Sequence, residues 1–221
     1  MPHKVRIIQK SWLTHDVMQF KLSKPHGYKF IAGQAIEASL DQPEFKDVWS
    51  PFTFTSLSTD DLLELTIKMY PDHKGLTLAL SKLNDNDQIL ITDPFTTFKN
   101  NGPGVFIAGG TGITPFIALI RQMYVDGEVA GSTLFFANKT GKDIFLADEF
   151  RKMLGDKFIN ILSREQKNPY LHGHVDKAFL QKHISNFNQP FYLCGPDNFA
   201  EDISACLKES GASAEMVNLS T

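Results

Sequence analysis

The stretch Val105-Phe106-Ile107-Ala108-Gly109-Gly110-Thr111-Gly112-Ile113-Thr114-Pro115-Phe116 decides how this chain is read. Four apolar residues, enough for a short buried strand, run into a glycine-rich turn and then a helix start at Thr114-Pro115. Gly110 and Gly112 take away the Cβ atoms that would keep an anion off the backbone, and they allow positive φ in the turn. Thr114 suits an N-cap, and Pro115 suits the first helical position, where a missing amide hydrogen is no loss. A helix beginning there leaves N–H groups aimed at whatever occupies the turn. A bare G-x-G-x-x-P also serves as a plain strand-to-helix connection. Its setting between strand and helix favours a pyrophosphate site, most simply for a dinucleotide.

Beyond the turn, strands and helices alternate. The sequence predicts strands at 105–108, 133–137, 158–162, 191–193 and 216–219, with helices near 115–125, 146–154, 176–184 and 198–210. That order predicts a doubly wound, five-stranded parallel sheet. Before the turn the pattern is different. Segments 4–13, 17–24, 34–40, 49–57, 62–70 and 88–93 are short, β-branched or aromatic, and separated by turn residues. In 62–70, Leu63, Leu65, Ile67 and Met69 alternate with Glu64, Thr66, Lys68 and Tyr70. One short helix follows Gly75, with Leu76, Ala79, Leu80 and Leu83 at helical spacing. Six such strands predict a small antiparallel β-barrel. The fold class is therefore β plus α/β in two domains, residues 1–98 and 99–221, with a hinge in 96–103.

Composition narrows the function classes. The 221 residues carry 22 Lys plus Arg against 25 Asp plus Glu, scattered in sign, so there is no nucleic-acid footprint. Residues 102–120 are uncharged but too rich in Gly and Pro to insert into a membrane. The first dozen residues show neither a long apolar core nor a small-residue cleavage site, so a cytoplasmic protein is expected. Cys194 and Cys206 cannot build a disulfide framework or supply the four thiolates of an iron–sulfur cluster, so redox chemistry would need a bound organic cofactor or an external partner. His172 and His174 read as a solvated loop pair, and no metal site is expected.

Three further motifs would face a cleft between the domains. Ser50-Pro51-Phe52-Thr53-Phe54-Thr55-Ser56 sets aromatic rings beside hydroxyls, a combination that can cover a planar ring and bond its edge. On its own it is an ordinary strand. Lys74-Gly75-Leu76-Thr77 precedes the short helix and offers amides and a hydroxyl to a second phosphate, although helix caps look the same. Tyr192-Leu193-Cys194-Gly195-Pro196 ends a parallel strand, where ligands gather in open sheets; a lone cysteine there is commonly structural.

The four motifs stand in the order found in the ferredoxin–NADP reductase superfamily, and the chain resembles its compact bacterial flavodoxin/ferredoxin reductases along essentially its whole length. The resemblance implies that FAD, ahead of FMN, binds the barrel. Phe52 would stack on the isoalloxazine and Thr53 would approach its N5; Ser50, Pro51, Ile67 and Lys68 would join Lys74, Gly75, Leu76 and Thr77 around the flavin. Gly110, Thr111, Gly112, Thr114 and Pro115 would hold the pyrophosphate of NADPH or NADH, and Cys194, Gly195 and Pro196 would lie beside the nicotinamide. Thr53 and Cys194 are the residues implied at the reacting atoms. Electrons would pass to a flavodoxin or ferredoxin-type acceptor. Ser163-Arg164 resembles the segment that NADPH-using relatives direct at the 2′-phosphate, while Asn138-Lys139-Thr140 supplies no acid for a 2′-hydroxyl, a weak lean to NADPH that leaves both nucleotides open. Two departures stand out. The arginine that pairs with flavin phosphate in the family is Ser50 here, leaving Lys68 or Lys74 as substitutes. The sequence also ends at Asn218-Leu219-Ser220-Thr221 without the terminal acid and aromatic of many relatives, which predicts a more open flavin face. The competing reading is a non-catalytic nucleotide-binding or electron-transfer subunit of a larger redox complex.

Overall fold

A computed structural model describes residues 2–70 and 73–219, so Ser220 and Thr221 of the expected open end lie outside it. The N-terminal half winds β1 (His3–Trp12), β2 (Val17–Ser23), β3 (Gln34–Ser39), β4 (Ser50–Thr53), β5 (Leu62–Lys68) and β6 (Gln88–Ile91) into an antiparallel barrel of order β4-β3-β6-β1-β2-β5. The ends meet where Phe54 bridges Leu65 and the Thr55 amide donates to the Glu64 carbonyl at 2.9 Å. A bulge in β1 between Ile7 and Gln9 bends the strand, so that its first half pairs with β6 and its second with β2. The alternation in β5 works as read: Leu63, Leu65, Ile67 and Met69 all enter the barrel core. The short helix α1 (Leu76–Lys82) buries Leu76 and Leu80 in the same core. A two-residue strand, β7 (Phe95–Thr96), pairs with β3 and leads out of the barrel.

The C-terminal half is a parallel sheet of β8 (Val105–Gly109), β9 (Thr133–Asn138), β10 (Phe158–Leu162), β11 (Leu171–His172), β12 (Phe191–Cys194) and β13 (Val217–Leu219), in the order β11-β10-β9-β8-β12-β13. Both of its faces are covered. In β8, Phe106 and Ala108 pack toward α2 (Thr114–Val125) and α3 (Ala147–Leu154), while Val105 and Ile107 pack toward α4 (Lys177–His183) and α5 (Asp197–Glu209). The sheet holds one strand more than the sequence pattern suggests. That strand, β11, is two exposed residues at the sheet edge, too short and too wet to leave a periodic signature. From β8 the chain winds outward through β9 and β10, then returns to place β12 on the other side of β8. The carboxyl ends of β8 and β12 thus flank the point where winding reverses, the usual ligand crevice of such sheets.

The segment expected as a hinge is pinned. The Phe98 amide donates to the Gly33 carbonyl at 2.9 Å, and its ring meets Phe116 of α2 edge-on at 5.2 Å. Gly33 has φ +87°, and a Cβ there would stand 2.4 Å from the Phe98 carbonyl oxygen, so only glycine lets the two segments approach. Val17 and Phe98 belong to the core beneath α2, and Leu13 and Ala32 pack against it. The barrel and the sheet share apolar packing as well as a chain.

Candidate functional site

The glycine turn folds as a short 3-10 helix, Gly110–Ile113, running straight into α2. Gly110 sits at φ +53° with nothing within 4 Å of where a Cβ would be, so the turn conformation and an open approach both call for glycine. Gly112 is needed for a different reason. A Cβ there would lie 2.4 Å from the Cys194 carbonyl oxygen, so this glycine lets the turn press against the end of β12. Thr114 makes no side-chain N-cap bond; its hydroxyl donates back to the Thr111 carbonyl at 3.1 Å, because the 3-10 turn has already begun the helix. Pro115 occupies the first turn of α2, as its chemistry suggests.

Two cavities meet at the seam between the domains. The larger, about 1030 Å³, lies over the carboxyl ends of the parallel strands: Gly110, Thr111 and Gly112 at β8, Asn138 and Lys139 at β9, Ser163 at β10, Gly195 and Pro196 at β12. Its far wall is the loop of Gly173 and His174 together with Phe199, Asp202 and Cys206 of α5. The smaller, about 210 Å³, lies between Pro51, Phe52 and Thr53 of the barrel and Thr111 and Thr114 of the turn, with Thr66, Ile67 and Thr77 also at its border. Lys68, Tyr70 and Thr111 border both. A half-buried aromatic ring and several hydroxyls are a donor set that fits a flat ring with polar edges, such as a flavin. The open glycine turn at the reversal point fits the pyrophosphate of a dinucleotide.

Of the residues singled out from sequence, these cavities gather Pro51, Phe52, Thr53, Ile67, Lys68, Thr77, Gly110, Thr111, Gly112, Thr114, Ser163, Gly195 and Pro196, drawn from both domains. Ser50, Lys74, Gly75, Leu76, Pro115, Arg164 and Cys194 border neither. Leu76 is a core residue of the barrel, and Lys74 and Arg164 are exposed. Cys194 packs against the core under α2, and burial pushes its thiol up to about 11, with a hydrogen bond from the Gly195 backbone pulling weakly the other way. At neutral pH it is an uncharged side chain rather than a thiolate.

Lys68 is already engaged, forming an ion pair with Asp16 at 2.9 Å. Burial alone would raise the Asp16 carboxyl, but the Lys68 ammonium and the Thr14 hydroxyl together hold it below its usual value. His15 and Asp16, in the β1–β2 turn, and Tyr70 are seam residues that the motifs did not reveal. His15 reaches across the seam, its Nε2 3.9 Å from Asp143 Oδ1. Only Tyr70 left a trace in the sequence, as an outward position of the β5 alternation. A hairpin turn far away in sequence leaves none. His172 bonds the Glu165 carbonyl through Nδ1 at 3.1 Å, while His174 faces the larger cavity.

A second polar cluster joins the domains beside the site. Arg121 of α2 holds Glu149 of α3 with both sides of its fork, Nε to Oε1 at 2.5 Å and Nη2 to Oε2 at 2.9 Å. Its Nη1 donates to Glu64 Oε1 on β5 at 2.7 Å and to the Thr55 carbonyl at 2.6 Å. The Thr55 hydroxyl gives Glu64 a further bond at 2.8 Å. Burial works against the guanidinium charge, but the two carboxylates outweigh it and hold the proton more firmly than in water.

The architecture and the paired cavities define a two-domain flavin and nicotinamide-nucleotide protein. Residues 3–105 match a FAD-binding domain model, and residues 106–205 match an oxidoreductase NAD-binding domain model. The chain thus carries a FAD-binding domain followed by an oxidoreductase NAD-binding domain, in the fold that ferredoxin–NADP reductases share. It is 26% identical to the propane 2-monooxygenase reductase component of Rhodococcus jostii (strain RHA1) over 97% of this chain and 62% of that protein. It is also 26% identical to NADH-cytochrome b5 reductase 2 of Mycosarcoma maydis, over 93% of this chain and 65% of that one. The chain therefore spans a little under two thirds of the length of these curated relatives. Among solved structures, a ferredoxin NADP+ reductase from Neisseria gonorrhoeae with bound FAD and NADP superposes with a TM-score of 0.86, covering 99% of this chain and 97% of that one at 17% identity, a likeness of fold. Among the described residues, no helix is long and apolar enough to cross a membrane.

Proposed function

We propose that this protein is a flavin-dependent NAD(P)H reductase that takes electrons from a reduced nicotinamide nucleotide through FAD to a flavodoxin or ferredoxin-type acceptor, and that it works in the cytoplasm. In this reading residues 1–98 hold the flavin and residues 99–221 the nucleotide. The observation that carries it is the meeting of the two cavities at Lys68, Tyr70 and Thr111, one framed by a barrel strand and the other by a dinucleotide-type turn. The names of two relatives, a monooxygenase reductase component and a cytochrome b5 reductase, support a redox protein as the acceptor.

When bound, the flavin supplies the conversion of a two-electron hydride donor into single-electron steps. The chain's task is to bind, orient and dry the site. Phe52 and Thr53 would contact the ring system, and the Thr77 and Thr111 hydroxyls would bond its polar edge. Gly110, Thr111 and Gly112 present backbone amides to the nucleotide pyrophosphate, and Gly195 and Pro196 leave room for the nicotinamide. Cys194, uncharged and packed on the core, acts through its backbone and bulk, with no part in acid–base chemistry. Ser50, Leu76 and Pro115 are the chain neighbours of Pro51, Thr77 and Thr114, which line the smaller cavity.

We read the preferred nucleotide as NADH, against the lean that Ser163-Arg164 gives in sequence. Asp16, Asp143, Asp176 and Asp202 border the larger cavity against two ammonium groups, Lys68 and Lys139, and Lys68 is paired with Asp16. Arg164 points to solvent. An anionic wall disfavours a 2′-phosphate.

The test is to purify the full chain, add FAD, and follow the visible flavin absorbance under anaerobic mixing with NADH or NADPH, then with an artificial electron acceptor. A yellow protein bleached faster by NADH and turning over the acceptor is expected. A protein that stays colourless after FAD addition overturns the proposal. One that binds flavin and nucleotide without bleaching is the non-catalytic subunit, the reading to which Ser50 at the family's arginine position lends weight.

A further inference from the structure

We infer that Arg121 is a positioning residue: its grip on the Thr55 carbonyl and Glu64 of the barrel, braced by Glu149, sets the spacing between the nucleotide turn and the flavin strand. The inference rests on the function proposed above. It follows from a continuous rigid path. The glycine turn, Gly110–Ile113, runs without a break into α2, and Arg121 lies seven residues past Thr114 on that helix, about 10 Å along its axis. From its guanidinium the path crosses to the Thr55 backbone, two residues beyond Thr53 on the strand that borders the smaller cavity. No flexible loop intervenes. A movement of α2 relative to the barrel therefore changes the distance between the two cavities directly, unless Arg121 lets go.

The chemistry of the cluster suits positioning better than stabilisation. One guanidinium faces two carboxylates in a half-buried seam, with side-chain exposures of 18% for Arg121, 12% for Glu64 and 33% for Glu149. Charge pairs taken out of water contribute little net stability compared with apolar groups of the same size, because desolvation offsets the attraction. What the fork does provide is direction. Its planar donors fix angle as well as distance, and here they bind two domains and two helices at once. Residues 97–104 and the apolar contacts around Phe98 hold the domains together, but apolar packing tolerates sliding far better than a fork does.

The test compares the full chain carrying Arg121→Met, which keeps bulk and removes the fork, and Arg121→Lys, which keeps charge without it. Hydrogen–deuterium exchange on the flavin-free protein should rise at least tenfold in peptides covering residues 50–56 and 110–116 in Arg121→Met, less in Arg121→Lys, with β1, β2, β8 and β9 unchanged. In the FAD-loaded fraction, the limiting rate of flavin bleaching at saturating NADH should fall about tenfold to a hundredfold in Arg121→Met, as misplacement by about an ångström does, and be partly rescued in Arg121→Lys. Unchanged exchange in both segments overturns the inference, as does a general rise across both cores, which would mark Arg121 as a stabilising residue only. If the native protein is not bleached by either nucleotide, the proposed function falls, and the exchange comparison still decides for or against the clamp.

Discussion

Cys194 ends β12 with its carbonyl oxygen against Gly112 and its thiol on the core, and that placement has a measurable consequence. Burial raises the thiol from its ordinary value of 9.0 to about 11, so the folded state keeps a proton that the unfolded chain gives up. The associated stability is fully present below pH 9 and is lost as pH rises toward 11. In urea titrations the native protein should lose of the order of 2 kcal/mol more across that window than Cys194→Ala, in which only the raised Tyr28 and Tyr192 still contribute, while flavin binding survives. Asp16 has the opposite sign. Its carboxyl is held below 3.8 by Lys68 and Thr14 despite burial, so its contribution is present above that value and disappears as pH falls through the lower folded one. Asp16→Asn should cost about 0.5–1 kcal/mol at pH 7, and its unfolding midpoint should meet that of the native protein in acid. The same variant frees the Lys68 ammonium, so tighter binding of phosphate-bearing nucleotides is expected in calorimetric titrations.

The first turn of α2 shows how one motif can contain glycines required for unrelated reasons. Gly110→Ala should cost about 1–2 kcal/mol, the strain of a left-handed backbone with a Cβ, and leave the rest of the turn in place because nothing is nearby to clash. Gly112→Ala forces a Cβ against the Cys194 carbonyl, so the turn must lift off β12. Chemical denaturation should show a loss of about 1–3 kcal/mol, and NADH binding should weaken more than in Gly110→Ala. Equal effects on binding would show that both glycines act only through access to the turn. Strand β5 carries a related point. Its inward residues were plain from alternation, but its outward residues Glu64, Thr66 and Lys68 are covered by the second domain and by the cavity rather than by water. Alternation sorts two faces; it cannot say what lies against the polar one.

Across the whole molecule, the seam decides both stability and site. Phe98, 2% exposed, ties the barrel to α2 through Gly33 on one side and Phe116 on the other. Phe98→Ala should cost about 3–5 kcal/mol and split a single denaturation transition into two, read by comparing far-ultraviolet dichroism with the fluorescence of Trp12 and Trp49. Superimposed transitions would mean that the domains remain coupled without this contact. The seam is also where sequence reading ran thin. His15 and Asp143 meet there across more than a hundred residues of chain, and Arg121 finds Glu64 from a different domain. Each is an ordinary charged residue on an ordinary element until the two halves dock.

Local chemistry in the chain determined the two grammars of strand and helix, the glycine turn at 110–112 and the order of the motifs, because periodicity, turn preference and helix starts act over a few residues. Phe52, Thr53 and Thr77, which the motif order assigns to the flavin, line one cavity with Thr111, which it assigns to the nucleotide. The edge strand at Leu171–His172, the engagement of Lys68 by Asp16, the acidic wall of the larger cavity and the grip of Arg121 were settled only by folding. Each depends on groups brought together from distant parts of the chain, where burial and charge act through space and no repeat in the sequence records them.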